Sequence, residues 1–514
     1  MQRPNAPRRA RSFRKTSIAA IGGLAVAALA LSACTGGDGD AGPSKSPTVD
    51  PNAVLTVGLV LEPKSLDIRT VSGAPLEQVL IDNVYQGLVT RTPQGEIEPA
   101  LASKYEISSD NLTYTFTLRE GITFHKGGEL TPSDVVSSLE YARDTEGVVE
   151  GSTLAGATSI VADGNDIAVT LTKPDANFLW NLTGRAGLIF DEGDTTALAT
   201  DANGTGPFTL GKWIQGDSIS LDRFDGYWGE PAKIAEAVLK YIPDFTAGVN
   251  AMLDGSLDVL TAVDPNLSSQ LDGTDGIELT FGTTTDKGTL ALTNTRAPPN
   301  DPRVLDALRN GVVHEAIVEA LGAGNTLYGP IPPTDPGYED LAKLVPFDPD
   351  KAKALLKEAG QEDLELTLTI PSFYGTTVST VLVSMYNDIG VTLKVNAVEF
   401  NTWLEDVYTN KDYDLSFVLH VEPRDFGNWA DPEYYFNYDN PKVQQLYAEA
   451  MASTDQAKVD ALLAEAARIV SSDNAADWLY NAETVTALRP GITGFQVDSI
   501  NARINLANVE VASE

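Results

Sequence analysis

Few side chains in this sequence have both the chemistry and the spacing of a hydrolytic centre. The histidines are His125, His314 and His420. His314-Glu315 begins like a zinc-protease helix motif, but the second histidine that such a motif needs four residues on is missing. The sequence lacks the Gly-x-Ser-x-Gly turn of serine hydrolases. It also lacks a complete phosphate-binding Gly-x4-Gly-Lys-Ser/Thr motif, since Trp213 follows the one Gly-x4-Gly-Lys match at residues 206–212. A single cysteine, Cys34, excludes a multi-thiolate metal centre and a disulfide framework.

Carboxylates are the abundant reactive groups. The chain of 514 residues carries 72 Asp and Glu against 36 Lys and Arg, a formal net charge of −36. So many acids leave a glycosidase-type carboxylate pair open as an alternative. A field of this sign repels phosphate backbones, so nucleic-acid binding is not expected. With 42% hydrophobic residues, the chain can fold into two or three domains of roughly 150 residues.

The N-terminus has the pattern of an export signal. Basic residues up to Lys15 precede an apolar run over residues 18–31, which is shorter than the roughly 20 residues of a membrane-spanning helix. The run ends in Leu31-Ser32-Ala33-Cys34, which resembles a bacterial lipobox. We therefore predict a lipoprotein signal peptide over residues 1–33 and lipidation, with palmitate among the acyl chains, at Cys34. The alternative is an ordinary signal peptide with an incidental cysteine.

A polar segment separates this signal from the rest of the chain. Residues 34–52 are rich in Gly, Asp, Pro and Ser and contain almost nothing to bury. Such a composition is typical of a flexible tether. We expect it to connect a folded body to the lipid at Cys34.

Beyond the tether, the apolar residues follow strand and helix periodicities in turn, which predicts a mixed α/β protein. Strands are predicted over 55–61, 112–118, 167–171, 364–370, 391–398 and 414–419. Helices are predicted over 76–84, 301–321, 348–360 and 378–389, with a short one around Trp403. The series of strands and helices from 364 to 419 implies crossover connections and hence parallel strands.

Several separated blocks of sequence resemble the peptide- and nickel-type extracellular solute-binding proteins of ATP-driven importers, family 5. The longest block is Tyr114-Thr115-Phe116-Thr117-Leu118-Arg119-Glu120-Gly121-Ile122-Thr123-Phe124-His125. It lies between Leu101-Ala102-Ser103-Lys104-Tyr105-Glu106 and Leu130-Thr131-Pro132-Ser133-Asp134-Val135. Shorter blocks are Gly204-Thr205-Gly206-Pro207-Phe208 and Asp348-Pro349-Asp350-Lys351-Ala352. Others are Tyr227-Trp228-Gly229, Gly255-Ser256-Leu257-Asp258 and Asp301-Pro302-Arg303-Val304. They occur in the family's order between residues 54 and 495.

The resemblance implies a three-lobed periplasmic-binding-protein-like fold (type II, cluster C). In this fold two α/β lobes flank a cleft and a third, extra lobe is attached. We expect lobe I to comprise residues 53–100, 203–290 and 491–514. The extra lobe II is expected over 101–202, and lobe III over 291–490.

The resemblance also points to ligand-binding residues. In peptide binders of this family, a carboxylate that follows a lobe III strand pairs with the amino terminus of the ligand. The matching segment here is 420–432, and Asn428 stands where the family often has that acid. Either Glu422 or Asp425 replaces it, with Arg424 between them, or the ligand has no free ammonium group. These three charged residues could also simply pair with one another on a solvated loop.

Other candidates lie on segments that the resemblance brings to the cleft wall. Trp403, Trp429 and Tyr480 are aromatic candidates, although Trp403 could instead belong to the core and Tyr480 to a buried strand. His420 ends a predicted strand and is either a buried histidine or a hydrogen-bond donor in the cleft. Glu62 follows the first strand, where the family's opening turn borders the pocket, and a surface position is the alternative.

The implied function is that of the substrate-binding component of an ABC importer. We expect it to capture di- to oligopeptides and deliver them to permease and ATPase subunits, without catalytic residues, metal or cofactor. It would be a monomer held by its N-terminal lipid on the outer face of the bacterial cell membrane. The same scaffold carries nickel chelates, haem and oligosaccharides, so these remain alternatives. A secreted glycosidase is a more remote one.

Overall fold

The computed structural model describes residues 49–71, 73–498 and 503–513. The predicted signal peptide, Cys34 and the predicted tether as far as residue 48 lie outside these ranges. Within them, no helix is both long and apolar enough to cross a membrane.

The strands occur along the whole described chain. They are β1 (Val54–Leu59), β2 (Val89–Arg91), β3 (Ile97–Pro99), β4 (Ala102–Ile107), β5 (Thr113–Leu118), β6 (Ala157–Asp163), β7 (Asp166–Leu171), β8 (Phe208–Ile214), β9 (Ser218–Arg223), β10 (Glu236–Tyr241), β11 (Val259–Leu260), β12 (Glu278–Leu292), β13 (Asn325–Thr326), β14 (Glu365–Pro371), β15 (Thr392–Val398), β16 (Leu415–His420), β17 (Ala476–Leu488), β18 (Ile492–Thr493) and β19 (Glu510–Val511).

The helices are concentrated in the second half. They are α1 (Ala74–Leu80), α2 (Pro132–Asp144), α3 (Phe178–Asn181), α4 (Phe245–Asp254), α5 (Pro265–Ser268), α6 (Pro302–Asn310), α7 (His314–Leu321), α8 (Pro349–Glu358), α9 (Thr377–Asp388), α10 (Phe400–Trp403), α11 (Pro441–Met451) and α12 (Gln456–Ser472). Several begin with an Asp or Asn cap followed by proline, as at Asp301 and Asp348, whose carboxylates accept backbone N–H groups of the first turn.

One large mixed sheet connects most of the fold. Its order is β15-β14-β16-β12-β17-β11-β1-β10-β9-β8, with β13 paired to β17. β14 is parallel to both β15 and β16, which confirms the parallel arrangement predicted from the crossover pattern. The long strands β12 and β17 are antiparallel to each other. They pass from a core that contains Val485 to one that contains Leu290, and so link two hydrophobic cores.

A second, antiparallel sheet has the order β4-β5-β7-β6. Its inner face carries Tyr114, Phe116 and Ile167 and packs with α2 into a separate hydrophobic core. The described part of the chain therefore contains several cores, each with its own strands. The lobe boundaries 53–100 with 203–290 and 491–514, 101–202, and 291–490 stay a prediction.

Two predicted helices differ from the structure. The single helix predicted over 301–321 is divided into α6 and α7, because residues 311–313 leave the helix and Val313 is extended (φ −102°, ψ 96°). Gly311, a poor helix former, lies at the break. The helix predicted over 76–84 ends at Leu80, because Ile81 is extended and Asp82 is left-handed (φ 64°). In both cases apolar residues beyond the helix are buried through a turn rather than through helical periodicity.

Candidate ligand-binding site

An irregularity in β12 lies at the centre of the candidate site. The pairing of β12 with β17 is interrupted between Thr283 and Lys287. The side-chain amide of Asn481, on β17, donates to the carbonyls of Thr284 (2.9 Å) and Asp286 (3.0 Å). A β-bulge re-aims the side chains around it. Two consecutive charged residues, Asp286 and Lys287, consequently have different surroundings.

Lys287 joins this bulge to the loop after β16. Its side chain is 2% exposed. The ammonium group donates to the carbonyls of Thr285 (3.0 Å) and Glu422 (3.1 Å) and lies 3.2 Å from Oδ1 of Asp425. A buried ammonium group is stable only where its charge and its hydrogen bonds are satisfied. Lys287 therefore positions the loop and neutralises Asp425.

Asp425 and His420 belong to this buried pair rather than to an open surface. Burial raises the pKa of Asp425, and Lys287 opposes that shift. Nδ1 of His420 lies 3.9 Å from the Asp425 carboxylate, and its Nε2 is 2.9 Å from the Tyr435 hydroxyl. Burial, with Lys287 adding to it, lowers the pKa of His420 to about 4. The imidazole is neutral at physiological pH and serves as a hydrogen-bonding group.

The carboxylates of Asp286 and Glu422 lack such a partner. Neither forms a side-chain hydrogen bond or an ion pair with any residue that the structure describes. Burial raises the pKa of Asp286 to about 6; Lys287 opposes the shift and Glu422 adds to it. Burial also raises the pKa of the Tyr374 phenol, and both carboxylates contribute. We call Asp286, Glu422 and Tyr374 together the acidic patch.

Exposed apolar side chains border the acidic patch. Phe373 is 63% exposed, and its ring centroid lies 4.4 Å from that of Tyr374 and 5.8 Å from that of Phe400. Phe400 and Val421, the neighbour of Glu422, are also exposed. We call Phe373, Phe400 and Val421 the apolar rim. Together, patch and rim offer negative charge beside an aromatic surface, which suits a cation attached to an apolar group.

The three aromatic candidates are buried. Trp429 packs face to face with Phe436 at 3.9 Å and belongs to a core cluster. The indole N–H of Trp403 donates to the hydroxyl of Ser416 at 2.9 Å, so its polar atom is already satisfied. The Tyr480 ring covers Gly288, where an added Cβ would lie 2.4 Å from it. Their contact with a ligand stays a prediction.

Arg424 and Asn428 follow Glu422 on the same loop. Arg424 is left-handed (φ 56°), and its backbone N–H donates to Oδ2 of Asp335 at 2.6 Å. Its guanidinium lies 4.2 Å from the ring centroid of Trp180. Asn428 is half-buried in a 3₁₀ helix over Asp425–Trp429. The side chain of Arg424 thus points to helix α3, which packs in the same core as the second sheet. That Arg424 or Asn428 contacts a ligand stays a prediction.

Glu62 is held near the other end of the large sheet. Its carboxylate accepts the indole N–H of Trp213 at 2.9 Å and the backbone N–H of Gly216 at 3.0 Å. These bonds attach the segment after β1 to the turn between β8 and β9. The structure does not bring Glu62 into contact with the acidic patch, and its role as a ligand contact stays a prediction.

Sequence reasoning missed Asp286, Lys287, Asp335 and Tyr374. The signal for the first two was present, because residues 283–287 read Thr-Thr-Thr-Asp-Lys, an unbroken polar run within a strand whose other residues include Leu, Phe and Ala. Consecutive polar residues in a central strand are typical of a bulge or a site. Asp335 and Tyr374 lie on connections with no comparable pattern.

The fold defines a class of protein. It is that of the type II periplasmic binding proteins. Structures of this architecture include DppA from Helicobacter pylori in complex with the peptide STSA, with a TM-score of 0.74, 24% identity, and coverage of 90% of this chain and 98% of that one. HbpA2 from Haemophilus parasuis gives a TM-score of 0.81 at 21% identity, over 90% and 100% of the two chains.

The sequence defines the family within this class. The model described as bacterial extracellular solute-binding proteins, family 5 Middle, matches residues 96–446. The chain therefore belongs to this family of solute carriers, which serve ABC importers.

Curated relatives carry different names. The dipeptide-binding protein of Escherichia coli K12 is 32% identical over 297 residues, which are 52% of this chain and little more than half (56%) of that protein. The glutathione-binding protein GsiB of Pectobacterium atrosepticum is 26% identical over 87% of this chain and 91% of its own. Heme-binding protein A of Haemophilus influenzae is 27% identical over 78% and 79%.

Proposed function

We propose that this protein captures extracellular peptides and delivers them, chemically unchanged, to the permease of an ABC importer. The single observation that carries the proposal is the pair of unpartnered carboxylates, Asp286 and Glu422, beside the apolar rim. An ammonium group placed between them would neutralise charge that the fold leaves uncompensated. Charge-assisted hydrogen bonds of this kind are roughly twice as strong as neutral ones.

The charge of the acidic patch favours some of the family's ligands over others. A peptide with a free amino terminus brings the cation that the patch lacks, and glutathione, named in several relatives, is itself such a peptide. Haem brings two carboxylates, which Asp286 and Glu422 would repel. We therefore place haem, nickel chelates and oligosaccharides behind peptides, and catalysis by a carboxylate pair last.

In the proposed complex, the peptide lies extended with its amino terminus at Asp286 and Glu422. Glu422 takes the role that the family often assigns to an acid at the position of Asn428, because Asp425 is committed to Lys287. The first apolar side chain of the peptide rests on the apolar rim. Main-chain hydrogen bonds provide affinity with little sequence preference. Closure of the binding site around the peptide would bend β12 and β17, the strands that link the two cores.

Delivery requires that the carrier stay near its permease. We propose that Cys34 is lipidated and that residues 34–52 tether the folded body to the outer face of the membrane. Metabolic labelling with a palmitate analogue tests this directly. The label is expected on the natural chain and absent from a Cys34→Ala variant, and equal labelling of both would overturn the anchor.

The peptide proposal is tested by calorimetric titration with peptides of two to eight residues. We expect micromolar or tighter dissociation constants for some of them, and a weakening of about 10- to 100-fold in Glu422→Gln, as for the loss of a hydrogen bond to a charged group. Glu433→Gln, which changes an exposed acid immediately after the segment 420–432, is the matched control. Failure of every peptide to bind more tightly than 1 mM would overturn the proposal.

A further inference from the structure

A cavity outside the acidic patch lies between the second sheet and the segments around α12. Its volume is about 490 Å³. Tyr105, Tyr114 and Leu179 line it on the side of the second sheet, and Asp335, Arg424 and Asp460 line it on the other. Its lining thus combines an apolar wall with carboxylates.

The two walls of this cavity are fixed to each other. The backbone N–H of Ala176 donates to the carbonyl of Met451 at 2.9 Å, and the Thr454 hydroxyl is 2.8 Å from Oδ1 of Asn111, to which it donates. The Arg424 guanidinium rests on the Trp180 ring. The space between the walls is therefore a defined feature of this conformation.

A small inner chamber adjoins the cavity. It measures about 20 Å³ and shares Asp335, Pro336 and Arg424 with the larger cavity, while Asp425 lines it as well. A volume of this size holds one group about as large as a water molecule. The chamber thus places two carboxylates and the side chain of Arg424 around room for a single small polar group.

Asp335 supplies a buried hydrogen-bond acceptor that the described residues leave unused. The residue is 8% exposed, and Oδ2 accepts the backbone N–H of Arg424. Oδ1 is buried and has no hydrogen-bond partner among the described residues. An orphaned buried carboxylate oxygen is costly. The charged residues that line the larger cavity are Glu96, Asp335, Arg424 and Asp460. Three of the four are acids, and the guanidinium of the fourth, Arg424, is stacked on the Trp180 ring.

We infer that the two cavities form a binding site for a primary alkylammonium group. The ammonium head enters the inner chamber and donates to Oδ1 of Asp335. The alkyl stem lies in the larger cavity against Leu179 and the rings of Tyr105 and Tyr114. The ligand is either a free diamine or the lysine side chain of a bound peptide, and only the second source rests on the proposed function.

Calorimetry of the full chain with 1,5-diaminopentane tests the site. We expect saturable binding, and at least a tenfold weaker affinity for 1-pentanol, which has the stem without the ammonium group. Asp335→Asn is expected to weaken diamine binding at least tenfold. Glu465→Gln, an exposed acid on α12 that does not line the cavities, is the control and should bind the diamine as the natural chain does.

A second variant covers the case in which Asp335→Asn disturbs the fold. Leu179→Trp fills the larger cavity from a half-buried position without changing charge, and it should also weaken the diamine at least tenfold. The inference would be overturned if either variant bound the diamine as tightly as the natural chain does and had an unchanged near-ultraviolet circular dichroism spectrum. Equal affinities for diamine and alcohol would overturn it too.

Competition identifies the source of the ammonium group. If a lysine-containing peptide displaces the diamine and its norleucine counterpart does not, the cavities hold a peptide side chain. If neither peptide displaces it, the ligand is a free amine. Glu422→Gln separates the two proposals, because it should weaken peptides while leaving diamine affinity unchanged.

Discussion

Two clusters of charged residues in this protein are built in opposite ways. In the core, Asp477 is 1% exposed and lies 3.3 Å from Nε of Arg309 and 3.1 Å from Nε2 of His314. Burial alone would raise the pKa of Asp477, but His314 and Arg309 outweigh it and the pKa lies below its ordinary value. In the acidic patch, burial raises the pKa of Asp286 to about 6.

This difference distinguishes charged residues that stabilise the fold, such as Asp477, from charged residues that are available to bind a ligand. Oδ1 of Asp477 is held by Arg309 and His314 within the core, while its Oδ2 has no hydrogen-bond partner among the described residues. Asp286 and Glu422 have no such counter-ion contacts in the part of the chain that the structure describes, and Glu422 is exposed to solvent, so both carboxylates are available to a ligand. The ion pair of Lys287 and Asp425 is intermediate between the two clusters. Its charges neutralise each other, and it lies next to the unpartnered carboxylates of Asp286 and Glu422.

The largest expected effect is on the core cluster. Asp477→Asn leaves the Arg309 guanidinium buried without its counter-ion, so we expect a loss of about 3–5 kcal/mol in the free energy of unfolding. Urea denaturation measures it. Peptide affinity per folded molecule should be unchanged. A loss below about 1 kcal/mol would contradict the structural role of the cluster.

The next largest loss of stability is expected from breaking the ion pair of Lys287 and Asp425, which adjoins the acidic patch. Lys287→Met leaves Asp425 buried without a cation, and we expect a loss of about 2–3 kcal/mol, limited because the carboxyl group can take up a proton. The double variant Lys287→Met/Asp425→Asn should recover part of this loss. Lys394→Met, which removes an exposed pair with Glu365, is the control and should cost under about 0.5 kcal/mol. Additive losses in the double variant would argue against the pair.

Removing the unpartnered charge of Asp286 should raise the free energy of unfolding, whereas the two preceding changes lower it. The pKa of the Asp286 carboxyl group is higher in the folded chain than in the unfolded chain, so its ionisation destabilises the fold. The penalty is complete above about pH 6, where the group is ionised in both states. It is absent below about pH 4, where the group is protonated in both states. Asp286→Asn is therefore expected to stabilise the ligand-free protein by about 1–3 kcal/mol at pH 7.5. The gain should vanish at pH 4, and peptide affinity should fall. Destabilisation at pH 7.5 would show that Asp286 is satisfied after all.

The smallest effect is expected at the exposed member of the patch. Glu422→Gln should change the free energy of unfolding by less than about 0.5 kcal/mol, because its carboxylate supports no contact within the described fold. Thermal unfolding of the ligand-free chain checks this. A larger loss would indicate a structural partner for Glu422.

Much of the fold was predictable, because alternation and helical periodicity report which face of an element is buried. The parallel strands β14, β15 and β16 follow from such patterns. The break between α6 and α7 could not be read in the same way, since apolar residues on both sides of Gly311 continue the helical spacing. Periodicity measures burial and not the continuity of hydrogen bonding.

The candidate site was only partly predictable. Glu422 was identified because it lies on a segment that resembles a family motif. Asp286, the other acid of the patch, lies on β12. The pairing of β12 with β16, the strand that precedes Glu422, brings these two parts of the chain together. Proximity between residues so far apart along the chain depends on sheet order, which local patterns do not encode.

The central claim is that an unpartnered carboxylate pair receives the amino terminus of a peptide. Its most direct test compares one binding peptide with its N-acetylated form by calorimetry at pH 7.5. Acetylation removes the positive charge and changes little else, so we predict a 10- to 100-fold weaker dissociation constant in the natural chain and a much smaller difference in Glu422→Gln. Equal affinity of the natural chain for the free and acetylated peptides would contradict the account.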